Sequence, residues 1–123
     1  VQIVKLWVDE QGEGYEKIFD VAASDGRVAD PDTGRVAPVG NTVDVAGARY
    51  SNSIGASELE IVWRDPEWNP DSPARYYARV LEIPTPRWST YDARDLGIEA
   101  PEPTSLQERA VTSAITYWPA GLD

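Results

Sequence analysis

Hydrophobic and polar residues alternate along much of this chain with a period near two, which predicts strands rather than helices. Residues 1–9 are apolar on both sides, with Val4, Leu6 and Val8 on one face and Ile3 and Trp7 on the other. Such a strand is expected to be covered on both faces, one of them by a neighbouring domain. Gln11-Gly-Glu-Gly14 predicts a turn, because glycine takes positive φ at no steric cost. Residues 15–22 then place Tyr15, Phe19 and Val21 together, as the second arm of a hairpin. Residues 24–41 hold Asp25-Gly26, Asp30-Pro-Asp-Thr-Gly34 and Pro38 and predict a long surface loop.

Residues 42–51 predict a strand whose phase slips at Ala46-Gly47, the mark of a bulge. The cleanest alternation is in residues 58–65, with Leu59, Ile61 and Trp63 inward and Glu58, Glu60 and Arg64 outward. Three prolines make 65–73 a loop. Residues 76–83 predict the next strand, with Tyr76, Ala78 and Val80 on one side and Tyr77, Leu81 and Ile83 on the other. Pro84 and Pro86 are expected to stop it, since neither donates to a ladder. A short helix is predicted over 89–96, with Ser89 as N-cap and Gly97 at its end. Residues 111–118 complete the sheet. About six strands, long loops and at most one short helix predict an all-β fold, an antiparallel β-sandwich of the fibronectin or immunoglobulin type.

The length of 123 residues fits a single domain, 1–123, large enough to bury about two thirds of its unfolded surface. No apolar run reaches the roughly 18 residues a membrane span needs, and no signal-peptide pattern opens the chain. Methionine is absent, even at position 1, so the chain is expected to be a piece of a longer or processed protein. Twenty-one acids against 11 bases give a net charge of −10. That potential repels phosphate backbones and anionic lipid, so neither nucleic acid nor membrane is an expected partner. The absence of cysteine removes disulfides and thiolate chemistry. The absence of histidine removes Ser–His and Cys–His activation and the usual catalytic zinc sites.

Carboxylates remain. Asp30 and Asp32 before Gly34 lack the further ligands of a calcium loop, and Asp65, Glu67, Asn69 and Asp71 sit in a proline-rich, solvated loop. On a strand, Glu58 and Glu60 would stand about 7 Å apart, the spacing of a glycosidase pair, yet they face outward on an acidic surface. No catalytic residue, metal site or cofactor is therefore expected. Trp68, Trp88 and Tyr91 lie in predicted loops, where large aromatics need a cover or a ligand. Arg87 beside Trp88, with Arg94 on the predicted helix, forms a basic and aromatic spot of the kind that anchors interfaces.

Several blocks resemble a known family. Tyr76-Tyr-Ala-Arg-Val-Leu-Glu-Ile-Pro-Thr-Pro-Arg-Trp88, Thr90-Tyr-Asp-Ala93 and Gln107-Glu-Arg-Ala110 are similar to the carboxy-terminal region of the bacterial domain of unknown function 3604 family. Val1-Gln-Ile-Val-Lys-Leu-Trp7, Glu16-Lys-Ile-Phe-Asp-Val-Ala22, Val39-Gly-Asn-Thr-Val-Asp-Val-Ala46 and Asn52-Ser-Ile-Gly-Ala-Ser-Glu-Leu59 extend the resemblance over most of the chain. One departure is the ending Ser113-Ala-Ile-Thr-Tyr-Trp118, where a Ser-Pro-Ile-Trp-like finish is expected.

The resemblance implies that this is the carboxy-terminal part of a longer bacterial protein. Its amino-terminal domain would be akin to metal-dependent phosphoesterases of the polymerase-and-histidinol-phosphatase (PHP) type. The expected function is then that of a non-catalytic accessory domain whose partner is that amino-terminal domain, contacted through 84–96. When isolated, the chain is expected to be able to form a homodimer. The alternative is a carbohydrate- or ligand-binding module using Trp68, Trp88 and Tyr91. The residues leave the compartment open, and the resemblance admits export to the periplasm for the parent protein.

Overall fold

The computed structural model describes residues 1–120. Strands β1 (Gln2–Val8), β2 (Gly14–Asp20), β3 (Ala74–Pro86), β4 (Ser105–Val111) and β5 (Ile115–Tyr117) form one antiparallel sheet in the order β2-β1-β3-β4, with β5 also paired to β3. Helix α1 (Trp88–Leu96) stands between β3 and β4.

The β1–β2 hairpin forms where the glycines predict it, and Asp9 closes it. Its Oδ1 accepts the N–H groups of Gln11 and Glu13, both at 2.9 Å, and its Oδ2 accepts the Tyr15 hydroxyl at 2.9 Å. Directly opposed residues of an antiparallel pair point to the same face, so the register sorts every side chain. One face, here called the strapped face, carries Ile3, Lys5 and Trp7 of β1 with their partners Phe19, Lys17 and Tyr15 of β2 and Ala78, Tyr76 and Ala74 of β3. The other, the open face, carries Gln2, Val4 and Leu6 with Asp20, Ile18 and Glu16 on one side and Arg79, Tyr77 and Arg75 on the other. The stacking of Trp7 on Tyr15, with centroids 5.5 Å apart, agrees with this assignment.

β3 does not stop at its prolines. Its register against β4 shifts between Leu81 and Pro84, so that three steps on β3 oppose two on β4. Gln107 Nε2 donates to the Glu82 carbonyl at 2.6 Å inside this bulge. β1 pairs only as far as Arg79, so the proline-bearing end of β3 has a partner on one side alone. A missing N–H is tolerated there, as on any edge. β4 and β5 continue one line along β3, and Thr112 carries the chain across the gap. Its N–H donates to the Ala78 carbonyl, and its hydroxyl accepts the Ala78 N–H, each at 3.0 Å.

The all-β class and the one short helix hold. The second sheet of a sandwich does not form among the described residues: its place is taken by the long connection from β2 to β3. Residues 42–51 make a tight turn instead of a bulged strand. Asp44 and Arg49 form an isolated bridge, and Asp44 Oδ1 accepts the Gly47 N–H at 3.1 Å, so local aspartate chemistry outcompetes extension. Residues 58–65 lie unpaired despite their alternation, with Val62 88% exposed. Alternation is necessary for a strand, but an available edge is too.

The core is thin. Among the described residues the buried apolar side chains are Val4, Ala48, Ala74, Pro86, Ala93 and Pro119, beside buried Gln2, Lys5, Ser24 and Thr90. The helix is anchored through the Thr104 carbonyl, which accepts the Arg87 N–H at 3.0 Å and the Thr90 hydroxyl at 2.6 Å. That fixes Arg87 rather than Ser89 as N-cap, and Gly97 ends the helix at φ 65°. No helix among the described residues is long and apolar enough to cross a membrane.

Gly55 is a point where the connection meets the sheet. Its φ is +86° and an added Cβ would stand 2.6 Å from Ile83 Cγ2. Gly12, at φ +81°, has open space around it. Gly12→Ala is expected to destabilise by about 1 kcal/mol through backbone strain alone. Gly55→Ala adds the clash, for about 2–4 kcal/mol in total. Urea denaturation of the two variants measures the difference.

Candidate functional site

The most elaborate polar cluster lies under the segment 63–70, which crosses the strapped face. Lys5 sits in the middle of an otherwise apolar strand face, and its Nζ donates to Asp65 Oδ2 at 2.6 Å and to the Glu67 carbonyl at 2.7 Å. Asp65 Oδ2 also accepts the Tyr76 hydroxyl at 2.7 Å, and its Oδ1 accepts the Glu67 N–H at 2.8 Å. The Lys5 and Asp65 side chains are only 7% and 6% exposed. Aromatic rings wall the cluster: Lys5 Nζ lies 5.3 Å from the Trp7 ring centre and 5.9 Å from that of Tyr76. Trp63 packs between Phe19 and Tyr76, at 5.1 and 6.4 Å. Lys17 pairs with Glu67 at the outer margin, and Trp68 closes the far end against Tyr117 at 4.2 Å.

The electrostatics are those of a staple. Burial pushes the Asp65 carboxyl up, but hydrogen bonds from Lys5, Tyr76 and the Glu67 amide outweigh it and hold the carboxyl below the ordinary range. Burial, and then the bond to Asp65, push the Tyr76 hydroxyl well above its usual value. Asp65 is thus ionised and Tyr76 protonated at neutral pH, and each satisfies the other. Neither is poised near neutrality, as a general acid or base would be. Among the described residues no three acidic, histidine or cysteine side chains gather into a metal-binding group. Asp30 is spent on its own turn, its Oδ1 accepting from the Asp32 and Thr33 amides and the Thr33 hydroxyl.

The residues singled out from sequence are divided between the two ends of β3. Arg87, Trp88, Tyr91 and Arg94 gather at the helix. The Arg87 guanidinium lies 5.9 Å from the Trp88 ring centre, and that of Arg94 lies 5.8 Å from Tyr91. Arg94 also pairs with Asp95 at 2.7 Å and donates to the Gly47 carbonyl at 3.5 Å. Trp88, 67% exposed, begins the helix, and Leu96 and Ile98, about 12 Å along the axis at its other end, are also exposed. Trp68 instead packs at a tilt of 60° against Tyr117, which is paired to Ala74 at the start of β3. The helix follows Pro86, roughly 40 Å of strand away. Trp68, Trp88 and Tyr91 therefore form no common platform. Glu58 and Glu60 lie in the unpaired segment, both exposed.

Sequence reasoning passed over Lys5 and Tyr76 and read Asp65 only as a loop oxygen. The signal was present: a lone lysine between Ile3 and Trp7 on an inward face requires a buried counter-charge.

An all-β domain with one sheet among its described residues, stapled by a buried ion pair and bearing a helix with exposed apolar residues at both ends, is the class defined by these features. The chain belongs to the family described as Protein of unknown function (DUF3604), whose profile matches residues 1–119. No curated protein and no solved structure matches it.

Asp65→Ala is expected to destabilise the fold by about 3–5 kcal/mol, because it leaves the Lys5 ammonium buried without a counter-charge. Replacing all three partners together, Lys5→Met, Asp65→Leu and Tyr76→Phe, is expected to recover most of that loss. Chemical denaturation of the single and triple variants measures both.

Asp9, Asp25, Asp30 and Asp44 accept backbone or side-chain hydrogen bonds that lower their carboxyl pKa values, as Asp65 does. A lowered folded pKa contributes stability that is present above the unfolded value of about 3.9 and lost as pH falls through the folded one. Tyr15 and Tyr76 have raised values, so their contribution is present below about pH 10 and is lost above it. The thermal midpoint is therefore expected to fall below about pH 5 and above about pH 9, with a shallow rise between as the Val1 amine, whose pKa burial lowers, sheds its proton, as a calorimetric pH series would show.

Proposed function

We propose that this chain is a non-catalytic accessory domain of a longer protein and packs against a companion domain through its helix end. The supporting observation is its surface. The chain exposes 8793 Å², about a third more than the roughly 6,600 Å² expected of a self-contained globule of 13.6 kDa. Part of that excess lies in Trp88 beside Arg87 at the start of the helix and in Leu96 and Ile98 near Arg94 at its other end. Arginine and tryptophan are the residue types that dominate interface energies. The companion implied by the family resemblance is a metal-dependent phosphoesterase of the PHP type. Histidine and aspartate clusters would hold its metals, and this chain has no histidine to contribute. Its role is then to stabilise that domain, and the segment 84–96 walls its cleft.

Trp88→Ala separates this role from a structural one. In the isolated chain it is expected to change unfolding free energy by less than about 0.5 kcal/mol, as an exposed substitution does. In the source cells, an antibody against this segment is expected to detect a band several times heavier than 13.6 kDa, and Arg87→Ala with Trp88→Ala should lower its abundance several-fold. A band at the mass of the chain alone, or unchanged abundance, would overturn the proposal.

A further inference from the structure

Residues 58–64 have the pattern of a strand but pair with no neighbour among the described residues. They run without turn or bend and alternate Leu59, Ile61 and Trp63 with Glu58, Glu60 and Arg64. Residues 56–62 are all exposed, Ile61 at 53% and Val62 at 88%. Among the described residues, no main-chain N–H or C=O of 58–64 makes a hydrogen bond within the protein, and neither do the side chains of Glu58, Glu60 and Arg64. Both flanks are nevertheless fixed. Gly55 lies against Ile83, and its N–H donates to Asp25 Oδ2 at 2.9 Å. Asp65 is held by Lys5 and Tyr76. A segment held at both ends has already lost part of the freedom that binding costs, and its free N–H and C=O groups are a template for another strand.

The segment is complementary to itself. A two-fold axis through Ile61 sets two copies antiparallel, with Ile61 opposite Ile61. Glu58 of each copy then stands opposite Arg64 of the other, Leu59 opposite Trp63, and Glu60 opposite Val62. Opposite charges and aliphatic–aromatic pairs at directly opposed positions are contacts that stabilise an antiparallel ladder. Two-fold symmetry admits only registers in which opposed residues share a face, and the neighbouring ones are worse. Centring on Glu60 opposes two carboxylates. Centring on Val62 draws in Asp65, already bonded to Lys5, and Pro66, which has no N–H to give. The complementarity is internal to the segment, so it specifies a second copy of this chain rather than an unrelated strand. Such a contact is isologous and closed, the commonest form of protein dimer.

We infer that residues 58–64 are a homodimer interface formed by antiparallel strand pairing, closed by two Glu58–Arg64 pairs and two Leu59–Trp63 pairs about Ile61. A ladder this short falls below the roughly 800 Å² per partner of a standard interface, so the association is reversible. It uses none of residues 84–96 and does not depend on the companion-domain reading.

Sedimentation equilibrium of the chain tests this, with circular dichroism checking that each variant is folded. A concentration-dependent monomer–dimer equilibrium is expected, weakening with salt. Glu58→Arg and Arg64→Glu each set like charges across both ends of the ladder and should weaken association about tenfold or more. The two substitutions combined in one chain restore opposite charges in the same register, and association should return to within about threefold of the parent. Alternate amides within 59–63 should exchange hydrogen more slowly as the dimer fills. A chain monomeric up to about 1 mM would overturn the inference and leave the strand to a segment of another protein. A dimer indifferent to the single reversals, a double variant no better than either single one, or unchanged amide exchange would overturn it as well.

Discussion

The ammonium of Lys5, buried against the carboxylate of Asp65, is the contact on which the architecture depends. A four-strand-wide sheet has two faces to cover, and among the described residues there is no second sheet to cover them. The chain solves half of that problem with an irregular segment, and an irregular segment carries backbone groups that must be satisfied. Lys5 satisfies the Glu67 carbonyl, Asp65 satisfies the Glu67 amide, and the charge between them fixes the crossing point of the strap. Trp63 and Trp68 then fall onto Phe19, Tyr76 and Tyr117. A buried ion pair adds little net stability over an apolar substitute but penalises misplacement heavily. In this chain it therefore acts mainly as a positional constraint, locating a loop that has no strand pairing to locate it.

That solution leaves the other half open. With a few small apolar residues fully buried, the fold draws much of its cohesion from half-buried aromatics, aspartate-capped turns and the strand ladder. Its exposed apolar residues are spread over the helix and its end (Trp88, Leu96, Ile98), the long connection (Val28, Ile61, Val62) and the last strands (Val111, Ile115). The helix and its end carry exposed Trp88, Leu96 and Ile98 with Arg87 and Arg94 nearby.

Where the chain pairs, the sequence is readable. β1, β2 and most of β3 show period-two alternation, and the hairpin glycines mark the turn between the first two. Where it does not pair, the same signal misleads. Residues 58–65 alternate better than β4 does, yet β4 gains the free edge of β3 and 58–65 find none. Residues 42–51 are diverted by Asp44, whose side chain offers the backbone a local alternative. Pro84 and Pro86 read as a stop, but the bulge and one-sided pairing admit both. A second sheet would have needed those two segments, and among the described residues neither joins a strand, while the all-β class holds. Lys5 went unread because its partners, Asp65 and Tyr76, come from distant parts of the sequence.

Hydroxyl-radical footprinting, comparing the isolated chain with the full gene product from its source cells, tests the central claim most directly. The claim is that one face is closed by the chain's own strap while the helix end is closed from outside. Trp63, Phe19 and Tyr76 should be protected equally in both samples, and Trp88, Leu96 and Ile98 should be reactive in the isolated chain and protected in the gene product. Equal reactivity of Trp88, Leu96 and Ile98 in the two samples, or a reactive Trp63 in the isolated chain, would contradict the account.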